Sequence, residues 1–219
     1  MSGSAPARNE AALRAALVEA GCSFAARGLA IGTAGNLSVR LDDGYLVTPT
    51  NVALGRLDPA RLAKLDRDFV HVAGDRPTKE VAMHRAFYET RPGTEAVVHL
   101  HSTHAAALSF RNDLASLDPM PVFSPYYVMR VGHLPVLPYL RPGSDEIGAA
   151  IRALAGKYRA VLLANHGPVN AGASLQDAIS SAEELEETAR IFQMVGATKL
   201  RLLTPAEIAD LVATFKLEW

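Results

Sequence analysis

Cysteine is nearly absent from this 219-residue chain: Cys22 stands alone, so no internal disulfide can form. A lone thiol on a helix reads as a small apolar residue and fits a reducing compartment. Long hydrophobic runs are also lacking, and none approaches the ~20 residues that a membrane span needs. The opening "MSGSAPARNE" has no apolar stretch and does not read as a signal peptide. Charge of one sign is missing too. Lysine and arginine total 22 against 23 acids, a net charge of -1, which argues against a nucleic-acid binder with a basic face. Repeats, long linkers and low-complexity tracts are absent. These absences leave a soluble, cytoplasmic protein with one domain over residues 1–219, and a 49% hydrophobic composition supplies its core.

Helical and extended patterns interleave along the chain. Leu13, Leu17, Ala20 and Phe24 recur at helical spacing before a stop at Gly28. "GTAGNLSVRLDDGYLVTPT" reads as a glycine-rich loop and a hairpin turning at Asp43-Gly44. "RLAKLD" and "DFVHVAG" read as short strands. A helix is expected from Thr78 to Glu89, with Val81, His84 and Tyr88 on one face. "TEAVVHLH" reads as a buried strand and "STHAAALSF" as a helix capped by Ser102 or Thr103. "LPVLPY" is a short strand, and Ser144 opens a helix with acids at its positive end. "RAVLLANHG" is a buried strand that Gly167-Pro168 should stop. Ser174, with Asp177, opens the longest helix; Thr204, Pro205 and Glu207 open another. The fold class is therefore α/β, a mixed or antiparallel sheet flanked by helices.

The stretch "AVVHLHSTH" carries the chemistry. On a strand, His99 and His101 project from one face while Leu100 points the other way. Two neutral imidazoles side by side are ready metal ligands, although two core histidines bonded to backbone would look the same. His166, in "LLANHGPV", ends a second buried strand where a chain commonly opens onto a cleft. Glu80 is expected in the first turn of a helix, where it could complement the helix dipole or serve as a fourth ligand. Three histidines and a carboxylate together make a catalytic zinc set. His71, His84, His104 and His133 receive no catalytic role.

"GTAGNLSVR", "TPT", "KE", "VVHLH" and "NHG" occur in an order that resembles the class II aldolase/adducin family, and the likeness runs over about the whole chain. It implies a three-layer α/β/α fold with a central mixed, largely antiparallel sheet. It also implies a divalent metal (Zn2+, or Mn2+ or Co2+) on His99, His101 and His166, with Glu80 as acid–base residue and occasional ligand. A homotetramer with active sites between subunits goes with it. The family's phosphate pocket falls on Asn36, Thr50, Asn51, Thr78 and Lys79. Asn51 and Thr78-Lys79 depart from the sugar-phosphate aldolases, which have Gly and Ser-Ser there. Lys79 either adds positive charge to an anion site at a helix N-terminus or is an ordinary exposed lysine.

"HLHSTHAAALS", "SPYYVMRVGHLPVLPYLRPGS" and "EELEETA" are most similar to the 3-oxo-tetronate 4-phosphate decarboxylases within that family. The implied partner is a phosphorylated sugar acid, which loses CO2 through a metal-stabilised enediolate to leave dihydroxyacetone phosphate. The catalytic tyrosine lent by a neighbouring subunit falls on Tyr126 or Tyr127. Arg130 is a candidate for orienting the substrate carboxylate, or else an interface ion-pair residue. A sugar-phosphate aldolase or a 4-epimerase could use the same centre. A non-catalytic adducin-like module would have no need of the three histidines and the glutamate.

Overall fold

The computed structural model describes residues 9–219; the start of the polar leader, and with it the signal-peptide reading, lies outside them. Eight strands form one sheet: β1 (Asn36–Arg40), β2 (Gly44–Val47), β3 (Ala63–Asp66), β4 (His71–Ala73), β5 (Ala96–His99), β6 (Val136–Leu137), β7 (Ala160–Leu163) and β8 (Gly167–Gly172). Their order is β4-β3-β2-β1-β5-β8-β7-β6. Every pairing is antiparallel except β6 with β7. The helices are α1 (Glu10–Ala26), α2 (Val81–Thr90), α3 (Thr103–Ser109), α4 (Pro125–Arg130), α5 (Asp145–Ala153), α6 (Leu175–Val195) and α7 (Pro205–Phe215). Among the described residues, no helix is long and apolar enough to cross a membrane.

Strand alternation divides the core into layers. Leu37 and Val39 of β1, with Ala96, Val98 and Leu100 on and after β5, pack against Leu17 and Phe24 of α1 and Ala178 and Ala182 of α6. On the opposite face Val97, Val161, Leu163 and Val169 meet Met83 and Phe87 of α2 and Ile147 and Ile151 of α5. A third cluster joins Leu162 of β7 to Leu108 of α3, Tyr127 of α4 and Leu185 and Phe192 of α6. Helices therefore cover both sheet faces, as the three-layer expectation required. Leu100 enters the α1 side while His99 faces α2, as period-two spacing demands.

The caps of the long helices match the sequence reading. Ser174 accepts from the Asp177 N–H, and Thr204 with Glu207 forms a full capping box. Four expectations need correction. α2 begins at Val81, not Thr78, because Pro77 has no N–H and bridges to Pro49, while the Thr78 N–H donates to the Thr48 carbonyl. Those bonds hold the segment through Thr78 against the sheet edge, and Lys79 and Glu80 then turn into the helix, with Glu80 at its N-cap position. Gly167-Pro168 does not stop a strand but starts β8, a strand the sequence reading lacks. Asn165, at φ 56°, reverses the chain between β7 and β8, and near the start of a strand proline's missing donor is tolerated. "RLAKLD" is extended only from Ala63, since Pro59–Arg61 form a turn of 3-10 helix. Cys22 lies on α1 as expected but is exposed rather than packed as an apolar residue. The short helix α4, opened by Ser124 and Pro125, was also missing from the sequence reading.

Gly35 precedes β1 at φ 86°, and a Cβ there would lie 3.0 Å from the His99 carbonyl oxygen and 3.3 Å from Leu54. Gly35→Ala should therefore destabilise the protein by about 1–3 kcal/mol, through left-handed strain and displacement of the β1–β5 junction. Urea unfolding measures this, and an unchanged midpoint would contradict the close approach.

Candidate metal centre

His99 is the last residue of β5 and is completely buried between Asn36 of β1 and Val169 of β8. Its Nδ1 lies 2.8 Å from the Pro168 carbonyl oxygen, which can only accept, so Nδ1 carries the proton and Nε2 keeps its lone pair. His101, half-buried, is two residues further on the same extended path, and its Nε2 lies 3.0 Å from that of His99. His166 arrives from the β7–β8 turn. Its backbone N–H is held by Leu163 O at 3.1 Å and Ser109 Oγ at 3.2 Å, which ties the turn to the end of α3. The three rings meet edge to face, with centroids 4.7–4.8 Å apart.

Glu80 closes the fourth side. Its Oε2 lies 3.6 Å from His99 Nε2 and its Oε1 3.5 Å from His166 Nε2. For ligands at ~2.0–2.2 Å around a tetrahedral zinc, donor–donor separations of roughly 3.3–3.5 Å are expected. Three of the edges, at 3.0, 3.5 and 3.6 Å, are close to that spacing, and the ligand atoms of the three histidines all lie within 4.8 Å of one another. Burial, and then repulsion from His101 and His166, holds His99 well below the usual imidazole range. Burial and His166 lower His101. Burial lowers His166, with Lys79 adding to the effect and Glu80 opposing it. Neutral imidazoles presenting lone pairs to one point are the donor set of a divalent cation, and the residues fit such an ion.

Glu80 is not a first-turn acid of α2; its carboxylate makes no cap bond and turns inward instead. Asn36 Nδ2 donates to Glu80 Oε2 at 2.8 Å, and Asn36 Oδ1 is 2.5 Å from His84 Nε2. The Asn36 amide, placed in the phosphate pocket by resemblance, is thus bonded to the Glu80 carboxylate and to His84. Thr50 and Asn51 follow the turn that pairs with Arg76 and Pro77, beside Thr78 and Lys79. Thr78 is buried and its Oγ1 accepts from the Glu80 N–H at 3.3 Å. Lys79 is exposed, with its stem against Gly143.

The two tyrosines part company. Tyr127 is 1% exposed inside the α3–α4–α6 core, where burial pushes its hydroxyl up, whereas Tyr126 is 60% exposed. Arg130, on the last turn of α4, is also exposed, and its charge favours the ionised form of Glu184 rather than acting on the histidine cluster. Neither Tyr126 nor Arg130 joins the metal cluster within this chain. Sequence reasoning missed Ser38, His84 and Tyr88 as part of the site. Spacing was the available signal: His84 is one helical turn after Glu80, and Ser38 is two strand residues after Asn36.

Residues 15–193 match the profile of the Class II Aldolase and Adducin N-terminal domain. A protein of Pectobacterium atrosepticum named 3-oxo-tetronate 4-phosphate decarboxylase is 48% identical over 93% of this chain and 94% of its own length. An L-fuculose phosphate aldolase of Escherichia coli is 33% identical over 86% of this chain and 87% of its own. The crystal structure of YgbL from Klebsiella pneumoniae superposes with a TM-score of 0.90 at 46% identity, covering 93% of this chain and 99% of that one.

Histidine burial makes stability depend on pH. His84 is held down to about 3, against 6.5 in the unfolded chain, so between those values the unfolded state binds the extra proton. The folded state is therefore fully favoured above 6.5 and loses about 1.4 kcal/mol per pH unit below it from this residue alone. His99, His101 and His166 act in the same direction. Urea unfolding of metal-free protein at about pH 7.5 and about pH 5.5 should show at least ~1 kcal/mol lost at the lower value. Equal stabilities would mean that these rings take up protons in the folded protein as readily as in the unfolded chain.

Proposed function

Because the chain belongs to the class II aldolase and adducin family, we propose that it decarboxylates 3-oxo-tetronate 4-phosphate to dihydroxyacetone phosphate and CO2. One observation carries the choice of reaction within the family: the likeness to the decarboxylase-named relative is both deeper and longer than the likeness to the aldolase. His99, His101 and His166 would hold zinc, or else manganese or cobalt. Such an ion, when bound, draws electron density from a substrate ketone oxygen and so eases rupture of the adjacent carbon–carbon bond.

The substrate is a β-keto acid, so the C1–C2 bond breaks and CO2 departs. The electron pair stays on C2, conjugated with the C3 ketone as an enediolate, and a single proton delivered to C2 completes the product. Glu80 is placed for that delivery. Asn36 tethers its Oε2, leaving Oε1 on the His166 side as the atom that carries the proton. Thr50, Asn51, Thr78 and Lys79 would hold the substrate phosphate; Thr78 Oγ1 accepts from the Glu80 N–H and the Thr50 N–H donates to Arg76 O, so the two segments lie together. Tyr126 and Arg130 stand exposed on α4, outside the chain's own cluster, so a part in catalysis requires a neighbouring subunit. In a cytoplasmic homotetramer Tyr126 would relay a proton to Glu80 and Arg130 would orient the substrate carboxylate.

Incubation of the metal-loaded protein with 3-oxo-tetronate 4-phosphate should release CO2 and dihydroxyacetone phosphate together. Activity on L-fuculose 1-phosphate alone would replace this reading with an aldolase. Glu80→Gln should lower kcat by roughly 10²–10⁴-fold while metal stays bound. Tyr126→Phe should lower kcat without changing the unfolding midpoint. Tyr127→Phe should leave turnover intact, since it removes only a buried hydroxyl that has no partner. The opposite pattern would exchange the two residues' roles.

A further inference from the structure

Behind Glu80 an unbroken line of buried polar side chains runs into the α2 layer. Asn36 Nδ2 meets Glu80 Oε2 at 2.8 Å, Asn36 Oδ1 meets His84 Nε2 at 2.5 Å, His84 Nδ1 meets Ser38 Oγ at 2.7 Å, and Ser38 Oγ meets Tyr88 OH at 2.8 Å. All five residues are at least nine-tenths buried. In apolar surroundings such a row is costly unless every member is paired, and each of these is.

From the carboxylate to His84 each partner can satisfy the next in only one direction. A carboxylate accepts only, so Asn36 must turn its NH2 to Glu80, which leaves Oδ1 facing His84. Oδ1 also only accepts, so His84 carries its proton on Nε2. His84 Nδ1 is then a lone pair and takes the Ser38 hydroxyl hydrogen, and the Ser38 oxygen takes that of Tyr88. Reversing His84 to the other tautomer would set Nε2 against Oδ1, two acceptors at 2.5 Å. Rotating the Asn36 amide would oppose Oδ1 to the carboxylate. The carboxylate end of the line therefore fixes the tautomer of His84.

We propose that His84 is a positioning residue: through its Nε2–H it locks the Asn36 amide, which clamps Glu80 Oε2 and leaves Oε1 free to carry the substrate proton. Ser38 and Tyr88 pair its Nδ1 side, so the line extends four side chains from the carboxylate. The inference rests on Glu80 being the acid–base residue of the proposed reaction. It assigns a role to a histidine that touches neither metal ligands nor substrate. Elements far apart in sequence build it, since β1 supplies Asn36 and Ser38 while α2 supplies His84 and Tyr88.

Two measurements test it on the metal-loaded protein. Direct nitrogen-15 detection of the imidazoles, with the His84 signal assigned by its loss in His84→Gln, should show a neutral ring protonated at Nε2. A ring protonated at Nδ1 would overturn the proposal whatever the kinetics. Steady-state kinetics should then show kcat reduced by roughly 10–100-fold in His84→Leu, the range seen when groups that orient ligands are removed. KM and metal content should stay within about twofold of wild type, because phosphate and metal are held by other residues. His84→Gln should restore most of kcat, because its amide N–H reaches where Nε2–H was. Ser38→Ala, a smaller change that avoids a core cavity, should give an intermediate loss. Equal kcat in all three variants, or a Gln variant no better than Leu, would refute the positioning role. A wild type inactive on 3-oxo-tetronate 4-phosphate would instead remove the proposed reaction, and the tautomer would still decide the direction of the line.

Discussion

The antiparallel register of β1 with β5 places Asn36 opposite His99, and the rest of the site depends on that pair. β5 delivers the first histidine at its last residue; β1 delivers the amide that holds Glu80. A one-residue slip would send His99 to the α1 face and Leu100 to the centre. Apolar alternation opposes the slip on both strands, since Leu37, Val39, Val98 and Leu100 are all buried in one cluster. The hydrophobic effect, which has no direction of its own, thereby fixes the position of donor atoms to within ångströms.

A strand end, a hairpin turn and a helix cap supply the donors, and each is secured by a hydrogen bond from outside the cluster. His99 is oriented by the Pro168 carbonyl, His166 by Ser109 and Glu80 by Asn36. Pro168 belongs to β8, Ser109 to the end of α3 and Asn36 to β1, so the second layer of contacts draws on three elements. α3 is held in turn by Glu186 of α6, whose carboxylate accepts from the His104 and Ala105 N–H groups at 2.9 and 2.7 Å. Those two donors, at the start of a helix, would otherwise have no intrahelical partner. Preorganisation of this kind keeps three mutually repelling lone-pair donors together before any cation compensates them.

The same reasoning explains why the chain tolerates so many buried polar residues. Ser38, His84, Asn36 and Glu80 lie where the α2 face of the sheet would otherwise be filled by aliphatic groups like Val97 and Val169. Replacement by valine or leucine would improve hydrophobic packing and remove the carboxylate's support. Function is built into the core at the expense of burying polar atoms, and hydrogen bonding in series offsets that cost.

Much of this was legible in the residues. Period-two spacing put His99 and His101 on one face, capping patterns located α6 and α7, and five ordered motifs pointed to the ligand set and the layered fold. Local patterns failed where long-range bonds overrode them. Thr78 looked like a helix start until the Thr48 carbonyl claimed its N–H, and Gly167-Pro168 looked like a stop until β5 and β7 paired with what followed. Tyr126 and Tyr127 are adjacent and chemically alike, so only the packing of α4 could send one into the core and the other to the surface. Helical spacing put His84 one turn after Glu80, but its bonding partners lie 46 and 48 residues away and only the folded sheet brings them to it. Sequence determined which atoms could bind a metal and carry a proton, since that is a property of residue type and local period. Tertiary structure decided which of them meet, because hydrogen-bond direction and burial are set by neighbours that only the folded sheet brings together.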